Sequence, residues 1–131
     1  MQHHILILDD EEDIRTVIRR QLSGTQYEVL EAENAEEAMR LLGENALTVD
    51  VIITDVRMPK ISGVEAVDYF RRNHPTTPII VLTGFPDMDL AVDFMKEGVA
   101  DYLVKPVEKE KLIEAVEKAA HQRKIFESPS I

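Results

Sequence analysis

Several residue types are missing or scarce in this 131-residue chain, and each absence narrows its function. There is no cysteine, which excludes a disulfide framework and thiolate metal ligands. No apolar run approaches the roughly 20 residues that a membrane-spanning helix needs, and no basic, apolar leader stands at the start. We therefore expect a soluble, cytoplasmic protein with no membrane partner.

Basic residues are also in deficit, since 15 lysines and arginines stand against 25 aspartates and glutamates. The formal net charge is −10. A chain of this sign repels nucleic acid phosphates at long range. We therefore expect no direct nucleic acid binding by this chain.

Apolar residues make up 44% of the chain, which is enough for the core of one compact domain. Short β-rich runs alternate five times with stretches of helical spacing. Asn34 and Asp87 are placed as helix caps, Gly24 as a stop of the first helix, and the second helix is expected to end near Gly43. The predicted strands are HHILIL (3–8), YEVLEA (27–32), VDVIITD (49–55), IIVLTG (79–84) and DYLVKP (101–106).

The strands are apolar on consecutive residues, which indicates burial on both faces. The predicted fold class is therefore α/β, a single domain with a five-stranded parallel sheet and helices on both faces. Among the apolar positions assigned to the helix stripes are Val17, Val64, Val92 and Met95.

Polar residues stand where four of these strands end: Asp9 and Asp10, Asp55, Thr83, and Lys105. Ligands of open parallel sheets bind at the carboxyl ends of the strands, so these side chains are predicted to converge on one crevice. Each could also be an ordinary helix cap, turn residue, strand residue or surface charge. Their joint occurrence at four strand ends favours function.

Five consecutive carboxylates occupy positions 9–13. Glu11, Glu12 and Asp13 suit the positive end of a following helix and need no chemistry. Carboxylates gathered in one crevice repel each other unless a cation lies among them, and a few hard oxygen ligands suit Mg²⁺. A neighbouring aspartate can then attack phosphorus, with a lysine and a threonine hydroxyl binding the phosphoryl oxygens.

The motifs Asp9-Asp10, TDVRMP (54–59) followed by Gly63, LTG (82–84) and DYLVKP (101–106) resemble the receiver domain of two-component response regulators. The resemblance covers roughly residues 3–120. Within that family the sequence is most similar to receivers of nitrogen-regulation-type transcriptional activators.

The resemblance implies a role for each motif residue. Asp55 matches the phosphoacceptor, Lys105 matches the lysine that contacts the phosphoryl group, and the Lys105–Pro106 bond is expected to be cis. Thr83 and Tyr102 match a hydroxyl and aromatic switch pair. The implied Mg²⁺ ligands are Asp10 and Asp55 directly, Asp9 through water and the backbone carbonyl of Arg57.

The resemblance also implies partners and domain limits. A sensor histidine kinase is the expected phosphoryl donor, and the protein catalyses only its own phosphoryl transfer and autodephosphorylation. The surface of the fourth helix, fifth strand and fifth helix (87–98 and 108–120) is expected to carry the signal to a partner, an output domain or a homodimer. We expect the receiver domain at 1–120 and a helix extension or the start of a linker at 121–131.

Three other functions fit the sequence less well. A Mg²⁺-dependent aspartyl-phosphate hydrolase needs a second carboxylate two residues after its nucleophile, but position 57 is arginine. A flavodoxin-like nucleotide or flavin binder needs a glycine-rich phosphate loop after the first strand, where this chain has carboxylates. A degenerate receiver would lack part of the motif set. The four histidines, at positions 3, 4, 74 and 121, are not expected to be ligands.

Overall fold

The computed structural model describes residues 3–56 and 63–127. Strands and helices alternate along the chain. The strands are β1 (His3–Leu8), β2 (Tyr27–Ala32), β3 (Val49–Thr54), β4 (Ile79–Thr83) and β5 (Asp101–Val104). The helices are α1 (Glu12–Leu22), α2 (Ala35–Glu44), α3 (Gly63–Asn73), α4 (Met88–Lys96) and α5 (Lys109–Glu127).

The five strands form one parallel sheet in the order β2-β1-β3-β4-β5. Parallel strands need crossover connections, and here each crossover contains a helix. The predicted α/β class and parallel sheet are confirmed. Three strands end one or two residues earlier than predicted, so Asp55, Gly84, Lys105 and Pro106 lie in the loops that follow.

Each face of the sheet has its own core. On one face Leu6 and Leu8 of β1 belong to a cluster with Phe70 of α3 and Phe94 of α4. On the other face the intervening β1 residues pack with α1 and α5, in a cluster that includes Ile5, Ile7, Ile18, Leu112 and Val116. Alternate side chains of β1 thus point into different cores, which explains the unbroken apolar run.

The helix boundaries follow local signals at most ends. The Asn34 side chain accepts a hydrogen bond from the Glu37 amide at 2.8 Å, and Asp87 accepts one from the Leu90 amide at 3.1 Å, so both predicted caps are confirmed. Gly24 follows the end of α1 with φ of 83°, a conformation that favours glycine. The second helix ends at Glu44, beside Gly43 as predicted, and Asn45 caps it by donating from its side chain to the Leu41 carbonyl at 2.8 Å.

Four helix positions assigned to apolar stripes are wrong as core residues. Val17, Val64, Val92 and Met95 are all 43–50% exposed. In α4 only Phe94 is fully buried, because this short helix packs against the edge of the sheet and leaves much of its apolar surface outside. Within the part of the chain that the structure covers, no helix combines the length and apolar character needed to cross a bilayer.

Candidate functional site

The strand order places the four predicted strand ends side by side. β1 pairs with β3, β3 with β4 and β4 with β5, so Asp9, Asp55, Thr83 and Lys105 stand at the same edge of the sheet. The loop backbones are tied to neighbouring strands: the Asp55 amide donates to the Leu8 carbonyl at 2.9 Å, and the Lys105 amide donates to the Thr83 carbonyl at 2.8 Å. The sheet itself therefore aligns these residues.

Lys105 joins two of the carboxylates. Its Nζ donates to Oδ2 of Asp9 at 2.6 Å and to Oδ2 of Asp55 at 3.0 Å. All three side chains are largely buried. Burial alone would lower the pKa of Lys105, but its hydrogen bonds and charge interactions with Asp9 and Asp55 outweigh burial and raise that pKa. The ammonium is therefore charged at neutral pH and neutralises one of the site's negative charges.

Asp9 is held on both carboxylate oxygens. Its Oδ1 accepts a hydrogen bond from the Glu11 amide at 2.9 Å, while its Oδ2 accepts one from Lys105. Burial nevertheless raises the pKa of Asp9, because the loss of water costs the charged form more than these two partners return. Burial therefore disfavours the ionised form of Asp9 even with Lys105 in place.

Asp10 completes an acidic cluster. One carboxylate oxygen from each of Asp9, Asp10 and Asp55 lies within 4.8 Å of the others, and Asp10 is exposed while the other two are buried. Among the described residues, one ammonium contacts two of these three carboxylates, so this part of the cluster carries more negative than positive charge. The cluster offers hard oxygen ligands, is open to solvent on the Asp10 side and lies beside a lysine. This arrangement fits Mg²⁺, which binds few protein groups and keeps several waters.

The predicted switch pair lies on the two neighbouring strands β4 and β5. The buried Thr83 hydroxyl oxygen accepts a hydrogen bond from the Phe85 amide at 3.1 Å. The Tyr102 hydroxyl accepts one from the Asp87 amide at 3.3 Å, and its ring centroid lies 6.5 Å from that of Phe94 on α4. Both hydroxyls thus contact the loop that leads into α4.

The arrangement of this site agrees with the comparison to known families. Residues 5–117 match the response regulator receiver domain. The chain belongs to the response regulator receiver family. It is therefore a signalling module of two-component systems rather than a conventional enzyme.

Several relatives of this receiver are transcription regulators. This chain is 36% identical over 118 residues to the response regulator protein PilR of Pseudomonas aeruginosa, a match that covers 90% of this chain and 26% of that protein. It is 34% identical over 120 residues to the DNA-binding transcriptional regulator NtrC of Escherichia coli, covering 91% of this chain and 25% of that protein. The chain thus spans about a quarter of the length of these two relatives.

Solved receivers share its fold. A response regulator receiver domain from Clostridium thermocellum is 38% identical and superposes with a TM-score of 0.88, covering 95% of this chain and 98% of that one. The fold of this receiver and its membership of the family therefore rest on independent comparisons.

The structure also separates residues that do not belong to the site. His3 and His4 lie at the opposite end of β1, where His3 Nδ1 contacts Asp50 Oδ2 at 2.7 Å and His4 Nδ1 contacts Thr48 Oγ1 at 3.0 Å. His74 lies in the loop after α3, and burial lowers its pKa. Arg57, predicted to offer a carbonyl to the metal, lies outside the described residues.

Sequence reasoning missed the tight contact of Asp9 with Lys105, since Asp9 was expected only to help through water. It also missed Arg15, whose guanidinium reaches the Asp9 backbone. The spacing of Arg15, one turn into the helix that follows the two aspartates, was the only sequence signal for it.

Proposed function

We propose that this receiver takes a phosphoryl group onto Asp55 from the phosphohistidine of a sensor histidine kinase. An Asp55 oxygen attacks phosphorus, the bond from phosphorus to the imidazole nitrogen breaks, and the imidazole leaves with the bonding electrons. The product is an acyl phosphate on Asp55, which water later hydrolyses. The observation that carries this proposal is the ammonium of Lys105 bridging Asp9 and Asp55 beside Asp10.

Asp10 and Asp55 would hold Mg²⁺, with Asp9 assisting. When bound, the ion offsets the charge that develops on the phosphoryl oxygens. Asp55 is oriented by the Val56 amide, which donates to its Oδ1 at 2.6 Å, and by Lys105 on its Oδ2. The ammonium of Lys105 stays close enough to bind a phosphoryl oxygen after transfer, as a point charge.

Thr83 and Tyr102 would carry the signal outwards. The Thr83 hydroxyl reorients to donate a hydrogen bond to the phosphoryl group, which changes its contact with the Phe85 amide. Tyr102 then turns inward and leaves the Asp87 amide at the start of α4. Phosphorylation thereby biases a two-state element at the α4 end of the molecule.

The surface of α4, β5 and α5 is the proposed output face, for a partner, an output domain or a homodimer. Apolar side chains lie exposed on it: Met88, Val92, Met95 and Val104. Lys96, Glu97, Lys109 and Glu110 add mixed charges suited to pairing in a symmetric dimer. In a protein like PilR or NtrC this face would control the rest of the chain, with residues 1–120 as the receiver and 121–131 leading out of it.

Uptake of phosphate from a small acyl phosphate tests the proposal without the kinase. Intact-mass spectrometry should show one added phosphoryl group in the presence of Mg²⁺ and none when EDTA is present. Asp55→Asn should take up none under either condition. Phosphoryl uptake that is unchanged by EDTA, or the absence of uptake by the wild type, would contradict the proposal.

A further inference from the structure

Arg15, in the first turn of α1, ties that helix to the loop bearing the acidic cluster. Its Nη1 donates to the backbone carbonyl of Asp9 at 2.8 Å, and its Nε donates to Oε1 of Glu31 on β2 at 3.2 Å. The Arg15 side chain is only 13% exposed. A rigid, planar guanidinium held by two partners has little freedom to reorient.

Glu31 fixes the plane of that guanidinium. It accepts a hydrogen bond from Arg15 on one oxygen and from Arg19 on the other. The backbone carbonyl of Ala32, the next residue of β2, accepts a hydrogen bond from the Asp9 amide at 3.1 Å. The Asp9 backbone is therefore held on its N–H by β2 and on its carbonyl by Arg15.

These contacts act on Asp10 from both sides. The peptide group before Asp10 contains the Asp9 carbonyl, which Arg15 binds, and the peptide group after it contains the Glu11 amide, which the Asp9 carboxylate binds. Asp10 itself is exposed, so packing does not set its direction. The hydrogen bonds to its two flanking peptide groups instead hold the backbone from which it projects.

We propose that Arg15 is a positioning residue that aims the Asp10 carboxylate at the magnesium site, with Glu31 orienting Arg15. This inference rests on the proposed function. It gives Glu31, on β2, an indirect role in metal binding through Arg15, in addition to the roles of the strand-end residues.

The direction in which Mg²⁺ affinity changes when Arg15 is replaced distinguishes a positioning role from a simple charge effect. Arg15 is a cation bound to the backbone of the loop that carries the acidic cluster, so its removal would strengthen Mg²⁺ binding if only long-range charge mattered. Loss of positioning weakens Mg²⁺ binding instead. Partners that orient metal ligands typically change metal affinity by about 10–100-fold when they are removed.

The test is a calorimetric Mg²⁺ titration of the intact chain carrying Arg15→Met, with Arg20→Met as the matched control. Arg20 is an exposed residue of the same helix, so its replacement removes the same charge. We expect about tenfold weaker binding for Arg15→Met and unchanged or slightly tighter binding for Arg20→Met. Saturating Mg²⁺ should restore the rate of acyl-phosphate uptake by Arg15→Met, which a general loss of structure would not allow. Binding by Arg15→Met as tight as in the wild type would overturn the inference.

Two further variants keep the outcome decisive. Glu31→Gln preserves size and weakens the hold on Arg15, so it should weaken Mg²⁺ binding more than Glu33→Gln, which removes the same charge from an exposed residue just beyond β2. That comparison decides the case if Arg15→Met does not fold. Asp10→Asn separates the two claims. If it binds Mg²⁺ like the wild type, the metal site of the proposed function is wrong; if it weakens binding while Arg15→Met and Glu31→Gln do not, only the role of Arg15 is wrong.

Discussion

The substitution Asp10→Asn should move stability in opposite directions with and without Mg²⁺. The cluster places one oxygen each of Asp9, Asp10 and Asp55 within 4.8 Å of one another, and the ammonium of Lys105 binds two of these carboxylates. Without metal, Asp10 adds repulsion that Lys105 offsets only in part. Its loss should therefore stabilise the metal-free protein, while the variant should lose most of the stabilisation that Mg²⁺ gives the wild type.

The size of the effect follows from Coulomb's law. Two unit charges 4.8 Å apart repel by about 0.9 kcal/mol in water and by about 3.5 kcal/mol at an effective dielectric constant of ~20. Because Asp10 is exposed and Lys105 offsets part of the field, the lower value applies. We expect a gain of about 1 kcal/mol in unfolding free energy in EDTA, or about 4 °C in Tm. At a Mg²⁺ concentration ~100 times its Kd, the wild type should gain about 2.7 kcal/mol.

Urea unfolding followed by circular dichroism, in EDTA and in MgCl₂, measures both quantities. Glu12→Gln is the control, because it removes one exposed negative charge from the first turn of α1, outside the cluster. This control should lose about 0.3 kcal/mol or more of unfolding free energy, because it removes a favourable interaction with the helix dipole. It should keep the Mg²⁺ response. An Asp10→Asn protein that is less stable than the wild type in EDTA, or that keeps the full Mg²⁺ response, would refute the reasoning.

Three other changes test separate parts of the site. Phe85 lies two residues beyond Thr83 and is 58% exposed, where its ring can shield the acyl phosphate from water. The Phe85→Ala variant should therefore hydrolyse its acyl phosphate about tenfold faster, a change of ~1.4 kcal/mol in the barrier. Equal or slower loss of the phosphoryl group, followed by intact-mass spectrometry over time, would count against shielding. Because burial raises the pKa of Asp9, its ionisation costs stability in the metal-free protein as pH rises through that pKa. The excess stability of Asp9→Asn over the wild type, measured in urea titrations, should therefore grow as the pH rises above the ordinary aspartate value of 3.8, and a constant difference would contradict it. Tyr102→Ala should keep acyl-phosphate formation but lose the association that a phosphoryl mimic induces in sedimentation; association equal to the wild type would exclude Tyr102 as the relay.

The strand pattern was predictable because a parallel sheet covered on both faces leaves a direct signature. Consecutive apolar residues such as those of β3 and β4 are typical of strands buried on both faces, and polar residues that follow such runs must lie at the strand ends. Asp9, Asp55, Thr83 and Lys105 could therefore be placed at one edge of the sheet. The tie between Asp9 and Lys105 joins residues 96 positions apart, and no local pattern predicts it.

The misassigned helix positions have a different cause. Apolar spacing shows that a helix has a buried face but not how wide that face is. In α4 the apolar residues extend beyond the part that Phe94 and Leu90 bury, so Val92 and Met95 are left half exposed. Arg15 escaped notice because an arginine on a helix is usually a solvated surface charge, and only the fold shows that its guanidinium reaches the Asp9 carbonyl.

The most direct test of phosphoryl transfer to this receiver is to locate the modified residue. Treatment with a small acyl phosphate and Mg²⁺, followed by borohydride reduction, converts an aspartyl phosphate to homoserine, which peptide mass spectrometry then maps. We expect homoserine at position 55 alone, and only when donor and Mg²⁺ are both present. Homoserine at position 9 or 10, or none at position 55 in fully treated wild-type protein, would contradict it.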